Sequence, residues 1–342
     1  MDERTITTLD LAAAAGVSEE AVACYARWWQ LETYMREVAY TELRSRFGKS
    51  WPEVLGKQAV RRAEGDTLNE YMASADADDL LTYADASVLF DLVQAHWDLF
   101  GPVLPPKLRW LGQADTLQAI RNRVAHCRRP HVDDLGRIEI ALRDLESGAR
   151  RFYGSYTDTN WLSRGGADPL ELAWVDHDHP VAARLVDHCE QSYNVRFRLG
   201  FSTRPWSLPP ASSSAISGRE GVVWHAHWIA GGRDVNPSGI WRELSAETRE
   251  VILHLLFWPG GVTASFPAVE DPGLLADAIG DVFDRLMENS REPPSGQTMK
   301  QAEHFFNLMK DHASQLPAKV QYQSPLCLFD SRRPDAFDLF GA

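Results

Sequence analysis

The chain has 342 residues, 44% apolar and 24% charged, a balance that supports folded cores and excludes a disordered, collagen-like or rod-like protein. Lys and Arg number 35 against 48 Asp and Glu, giving a formal net charge of −13. That excludes a uniformly basic nucleic-acid coat and leaves room for a local basic patch. Four cysteines, Cys24, Cys127, Cys189 and Cys327, lie far apart with no CxxC pair, which argues against a disulfide scaffold or a Cys-rich zinc module and for a reducing cytosol. The start, MDERTITTLD, lacks the basic-then-apolar pattern of a leader. Apolar runs such as VILHLLFW fall short of the roughly 18 residues a membrane-spanning helix needs, so a cytoplasmic protein without membrane contact is expected.

Taken in order, the first 155 residues read as helices. Tyr25, Trp28, Leu31, Met35 and Val38 recur at helical spacing through Ala21–Arg46, and Gly48 and Pro52 interrupt the pattern. Asp85 is placed to cap a second helix carrying Val88, Leu89, Leu92, Val93, Trp97 and Phe100, which stops at Gly101-Pro102. Leu117, Ile120 and Val124 mark a third helix, and Leu135, Ile138, Leu142 and Leu145 a fourth. Short breaks between them predict an antiparallel bundle. From about Tyr156 the character changes: TDTNWLSRGGADP is rich in turn formers and marks the expected domain boundary. Ser202–Gly221 reads as a long loop, VVWHAHWIA alternates as a strand does, and helices are expected at Ala246–Phe257, Gly273–Glu288 and Thr298–Leu316. The expected fold class is α+β, a helical domain over 1–155 followed by a mixed α/β domain over 156–342.

The segment LQAIRNRVAHCRRPH (Leu117–His131) is the most informative. Asn122 and His126 stand four apart, on one helix face, with Arg121 beside them. The window Pro105–His131 holds six basic residues and one acidic residue inside an acidic protein. A permanently charged guanidinium next to an imidazole that titrates near neutrality suits phosphodiester chemistry: the Arg holds a phosphate, the His moves a proton, and a neighbouring amide fixes the ring. The same spacing also fits a solvated basic helix face, and the residue pattern by itself leaves both readings open.

The arrangement R-N-x-x-x-H resembles the HEPN superfamily (higher eukaryote and prokaryote nucleotide-binding domains). The likeness extends to the Trp- and Tyr-rich first helix, to LRSRFGKSW, to the helix ending DLVQAHWDLF and to the Trp shortly before LQAIRNRVAH, covering about Tyr25–Tyr153. The resemblance does not extend beyond about residue 160. The resemblance implies an N-terminal HEPN bundle with metal-independent endoribonuclease activity and no cofactor. Arg121 would bind phosphate, His126 would act as general acid or base, and Asn122 would support them. The 2′-hydroxyl of the RNA would attack phosphorus and leave a 2′,3′-cyclic phosphate. With one motif per chain, a homodimer with a composite cleft is implied. Family members often act as toxins or in antiviral defence, restrained by an antitoxin or regulatory partner. Arg123, Arg128, Arg129 and His131 are candidates to extend the RNA-binding surface. The alternative from the same resemblance is a non-catalytic module that binds RNA or protein, with specificity carried by the second domain.

Asp176-His177-Asp178-His179, His188-Cys189 and His225-x-His227 contain metal-ligand types, but DHDHP reads as a loop entering a helix at Val181, and no spacing matches a strong metal motif. Most of the 12 Trp are expected in cores, although aromatic platforms also stack bases. Gly231-Gly232 and Gly260-Gly261 read as turns, and the ending AFDLFGA reads as a tail that docks on its own second domain or on a partner.

Overall fold

The computed structural model describes residues 3–68, 79–210, 215–230, 233–258, 260–292 and Lys319. The elements run α1 (Glu3–Ala14), α2 (Glu19–Phe47), α3 (Lys57–Thr67), α4 (Ala86–Ala95), α5 (Trp97–Phe100), α6 (Lys107–Ala125), α7 (Asp134–Thr157), β1 (Asn160–Trp161), α8 (Pro169–Trp174), α9 (Pro180–Tyr193), β2 (Arg196–Thr203), β3 (Val222–Ile229), β4 (Asp234–Val235), α10 (Pro237–Glu243), α11 (Ala246–Val251), β5 (His254–Trp258), β6 (Gly261–Pro267), α12 (Pro272–Glu288) and β7 (Ser290–Arg291). The class is α+β, because among the described residues every strand pairing is antiparallel. Among the described residues no helix is long and apolar enough to cross a membrane. The expected helix at Thr298–Leu316 and the AFDLFGA tail lie outside the described residues.

The chain divides into two compact units. Residues 3–39 and 84–151 belong to one, and the described parts of 40–83 and 152–334 to the other. The passage between units therefore falls inside α2 and again inside α7. The expected boundary at 155/156 lies in the last turn of α7, and the described parts of 40–83, which the sequence groups with the first half, belong to the second unit.

The first unit is helical. The stripe Trp28, Leu31, Met35 and Val38 is buried along α2, but Tyr25, expected on the same stripe, is 56% exposed beside Trp29. Asp85 caps α4 as its position predicts, accepting from the Val88 amide at 3.2 Å. The helix expected to continue to Phe100 breaks at His96 (φ −117°, ψ 44°) and resumes as the single turn α5. Trp110, Ala114, Leu117 and Ile120 form the buried stripe of α6, with Trp110 edge-on to Phe90 at 5.6 Å. Ile138, Leu142 and Leu145 bury the matching face of α7, and Asp144 there takes an ion pair from Arg109 at 2.9 Å and a hydrogen bond from Gln113.

The second unit is built on a five-stranded sheet in the order β1-β2-β3-β6-β5. Alternation along β3 sends Trp224, Ala226 and Trp228 into a core shared with α8, α9 and α12, and sends Val223, His225 and His227 to the other face. Caps start the helices: Asp168, His179, Asn236, Ser245 and Asp271 each accept a backbone N–H in the first turn that follows. The expected helix Ala246–Phe257 is corrected: α11 ends at Val251, and His254–Trp258 is strand β5 paired with β6. The run VILHLLFW fits either element by periodicity, and the partner strand that settles it lies beyond the turn at Gly260.

On the second sheet face the end of α2 contributes buried polar groups. Glu42 and Arg204, both fully buried, make a two-pronged ion pair (Nε to Oε2 3.0 Å, Nη2 to Oε1 2.7 Å), and Trp206 Nε1 donates to Glu42 at 2.8 Å. Arg44 donates to the Glu250 and Val251 carbonyls at the end of α11, at 2.9 and 3.2 Å, and lies 3.5 Å from Glu270, whose carboxyl burial pushes up. His225, between Ser202 Oγ (2.8 Å) and Ser265 Oγ (2.9 Å), is buried, and burial drives its pKa down to about 3.

Arg204→Met strands a buried carboxylate and is expected to cost about 3–5 kcal/mol, read as a lowered urea midpoint, whereas Glu42→Leu combined with Arg204→Met recovers part of the loss. The unfolded chain protonates His225 below its ordinary 6.5, but the folded chain does so only near 3. Its contribution is therefore complete above pH 6.5 and declines as the pH falls towards 3. Urea midpoints measured between pH 4 and 7 are expected to rise with pH, less steeply in His225→Gln.

Candidate functional site

The segment Arg121–His131 occupies the last turn of α6 and the loop into α7. Asn122 and His126 are exposed and one helical turn apart, as their spacing predicts. Arg121 is half-buried: its Nη1 lies 3.5 Å from Asn122 Oδ1, and its Nη2 lies 3.9 Å from Asp85 Oδ2. The structure thus brings Arg121 and Asn122 into contact and sets His126 on the following turn. Among the described residues the His126 ring has no hydrogen-bond or ion-pair partner.

The loop leaves α6 through a Schellman turn. The Arg128 amide donates to Arg123 O at 2.9 Å, the Cys127 amide donates to Val124 O at 3.2 Å, and Cys127 adopts φ 51°. A non-glycine residue in that left-handed region carries backbone strain, of the kind that collects at functional sites. The turn keeps Arg128 and Arg129 exposed immediately beyond His126.

Arg123 closes the loop from the other side. Its Nε and Nη2 donate to the two oxygens of the buried Asp134 at 2.7 and 2.5 Å, and Asp134 also accepts the His131 amide at 2.9 Å. The hydrogen bonds from Arg123 hold the Asp134 carboxyl below the usual carboxylate range. Of the residues expected on the RNA-binding surface, Arg123 is therefore largely spent on Asp134. His131 is exposed, with Nδ1 accepting the Asp133 amide at 3.2 Å, and Arg128 and Arg129 are exposed and carry no ion pair among the described residues. Asp85 and Asp134 were not among the sequence candidates. Asp134 carries a readable signal, an Asp opening a helix eleven residues after an Arg, but the pairing itself needs the folded loop.

His179 caps α9, stacks on Trp174 at 5.3 Å and meets Asp277 at 3.1 Å. His177 lies 3.9 Å from Asp187, and His188 is 3.4 Å from Ser192. Among the described residues no three His, Cys, Asp or Glu side chains group as a metal site. Comparison with protein-family models, curated proteins and solved structures returned no match.

The half-buried Arg121, together with the exposed Asn122, His126, Arg128 and Arg129 on a clasped loop, has the chemistry to grip a phosphate and shuttle a proton. Because the Asp134 pKa is lowered, the clasp stabilises fully above the ordinary carboxylate pKa and is lost as pH falls through the lowered value. Asp134→Asn is expected to raise amide hydrogen exchange across residues 126–133 at neutral pH, with the wild-type and variant rates converging in acid.

Proposed function

We propose that this chain is a metal-independent endoribonuclease of HEPN type, acting as a homodimeric toxin or antiviral effector under the control of a partner protein. The observation that carries the reading is the joint presentation of Arg121, Asn122 and His126 at one exposed helix end, on a loop fixed by the Arg123–Asp134 pair. In this mechanism Arg121 holds the scissile phosphate and offsets its growing charge, while Asn122 supports the guanidinium. The RNA 2′-hydroxyl attacks phosphorus, the P–O5′ bond breaks, and the products are a 2′,3′-cyclic phosphate and a 5′-hydroxyl. One proton leaves the 2′-oxygen and one arrives at the 5′-oxygen. His126 serves one transfer and the motif of a second copy serves the other, so the composite site accounts for a single motif per chain. Arg128 and Arg129 add phosphate contacts along the strand.

A second reading, a non-catalytic module that binds RNA or protein, draws on the side chains as they stand: Arg121 leans towards Asp85, and His126 has no orienting partner among the described residues.

Total RNA incubated with the protein in excess EDTA separates the two. Cleavage leaving 2′,3′-cyclic phosphate ends, reduced about 10²–10⁴-fold in Arg121→Ala and His126→Ala, is the expected result. Cleavage that survives both substitutions, or that EDTA abolishes, rejects the mechanism.

A further inference from the structure

The second face of the sheet is not uniform along its length. At one end it carries the buried Ser202, His225, Ser265 and His254, and at the other it opens to solvent. The cross-strand register sets Arg198, His227, Thr263 and Leu256 side by side there, with Arg196, Ile229, Gly261 and Trp258 in the next row. Trp161, opposite Gly200 on β1, leans over the same face. Its ring lies 5.4 Å from that of His227, which stacks at 5.0 Å and 21° on Trp258.

These rings are seated on bare backbone. A Cβ at Gly261 would meet Trp258 Cζ2 at 2.2 Å, and one at Gly200 would meet Trp161 Cε3 at 3.0 Å. Thr263 Oγ1 fixes the tilt from below, lying 2.8 Å from His227 Nδ1 and 3.3 Å from Trp258 Nε1. Trp161 remains 39% exposed, and the Arg198 guanidinium lies over its ring at 4.5 Å with no carboxylate partner among the described residues. Arg196, two positions along the same strand face, is paired only loosely with the exposed Glu190, at 3.4 Å. Burial holds the His227 pKa down to about 4, so at neutral pH the middle ring is an uncharged stacking surface and the positive charge belongs to the arginines.

Preformed rings flanked by exposed guanidinium groups, with no acidic side chain in either row, match a polyanion with flat faces better than a neutral ring compound, which has no use for the cations. We propose that this open end of the sheet is a platform for single-stranded RNA, on which Trp161 and Trp258 stack bases while Arg198 and Arg196 contact the intervening phosphates. That the strand is RNA rests on the proposed function. The platform adds a second contact, in a different unit from the candidate cleavage residues.

The test measures binding of a fluorescein-labelled 12-mer oligouridylate to the full chain carrying His126→Ala, in EDTA, by anisotropy. A 12-base-pair RNA duplex and a neutral hexasaccharide are run alongside, the latter followed by tryptophan fluorescence. Trp161→Ala and Trp258→Ala are each expected to weaken oligouridylate binding about tenfold or more, while Trp161→Phe and Trp258→Phe, which keep a ring, retain most of it. Arg198→Glu lowers the affinity and flattens its salt dependence. The exposed Trp29→Ala in the other unit serves as the control for general loss of a surface ring. Oligouridylate affinity unchanged in both Trp→Ala variants, no binding at all, duplex bound as well as single strand, or the hexasaccharide bound in its place would each overturn the proposal. Stacking-dependent binding without His126-dependent cleavage by the wild type would remove the nuclease reading alone. Cleavage of the expected kind with binding indifferent to the platform would remove this inference alone.

Discussion

The buried pair between Glu42 and Arg204 organises the second unit. Two charges without water are tolerable only when each is matched, and here both carboxylate oxygens receive guanidinium donors while Trp206 adds a third bond. Because the partners are 162 residues apart in sequence, satisfying them fixes where the end of α2 lies against the sheet. The neighbouring bonds follow the same line: the Gly221 amide donates to Ser45 O at 2.8 Å, and Arg44 finishes the orphan carbonyls of α11. A segment that reads as the tail of an N-terminal helix is thereby a structural layer of the sheet unit.

At the candidate site, the weakest contact is the one that matters most to the proposed reaction. Arg121 faces Asp85 at 3.9 Å across a partly exposed gap, and Asp85 already serves the Val88 amide and the Ser87 hydroxyl. An exposed pair of that kind is worth little, so a phosphate can take the guanidinium without unpicking the cap of α4. Arg123 is the opposite case, its two prongs committed to a buried carboxylate. Two arginines separated by one residue thus divide the work: one holds the loop, the other stays available.

The sequence made local features legible. The stripes of α2, α6 and α7, the cap at Asp85, the strand β3 and the turn of DHDHP into α9 all follow from spacing and residue type within a dozen positions. What spacing cannot show is a pairing with a distant segment. β5 hides in an apolar run until β6 is placed beside it, Tyr25 fits the helical stripe and still faces solvent, and the end of α2 joins the second unit through Glu42 and Ser45, whose partners Arg204 and Gly221 lie far along the chain. The site divides in the same way. Arg121, Asn122 and His126 announce themselves by pattern, whereas the left-handed Cys127 has no glycine to mark it, and the commitment of Arg123 becomes visible only when the loop brings Asp134 back.

The long reach of the Glu42–Arg204 pair also has a meaning in time. On a ribosome adding about 5–20 residues per second, Glu42 emerges roughly 10–30 s before Arg204, and the strands that complete its surroundings come later still. Throughout that interval the polar end of α2 has no sheet to pack on, and Thr41, Glu42, Arg44 and Ser45 stand in water rather than in a core. Costly to bury later, those four polar side chains offer little apolar surface to other chains while the segment waits.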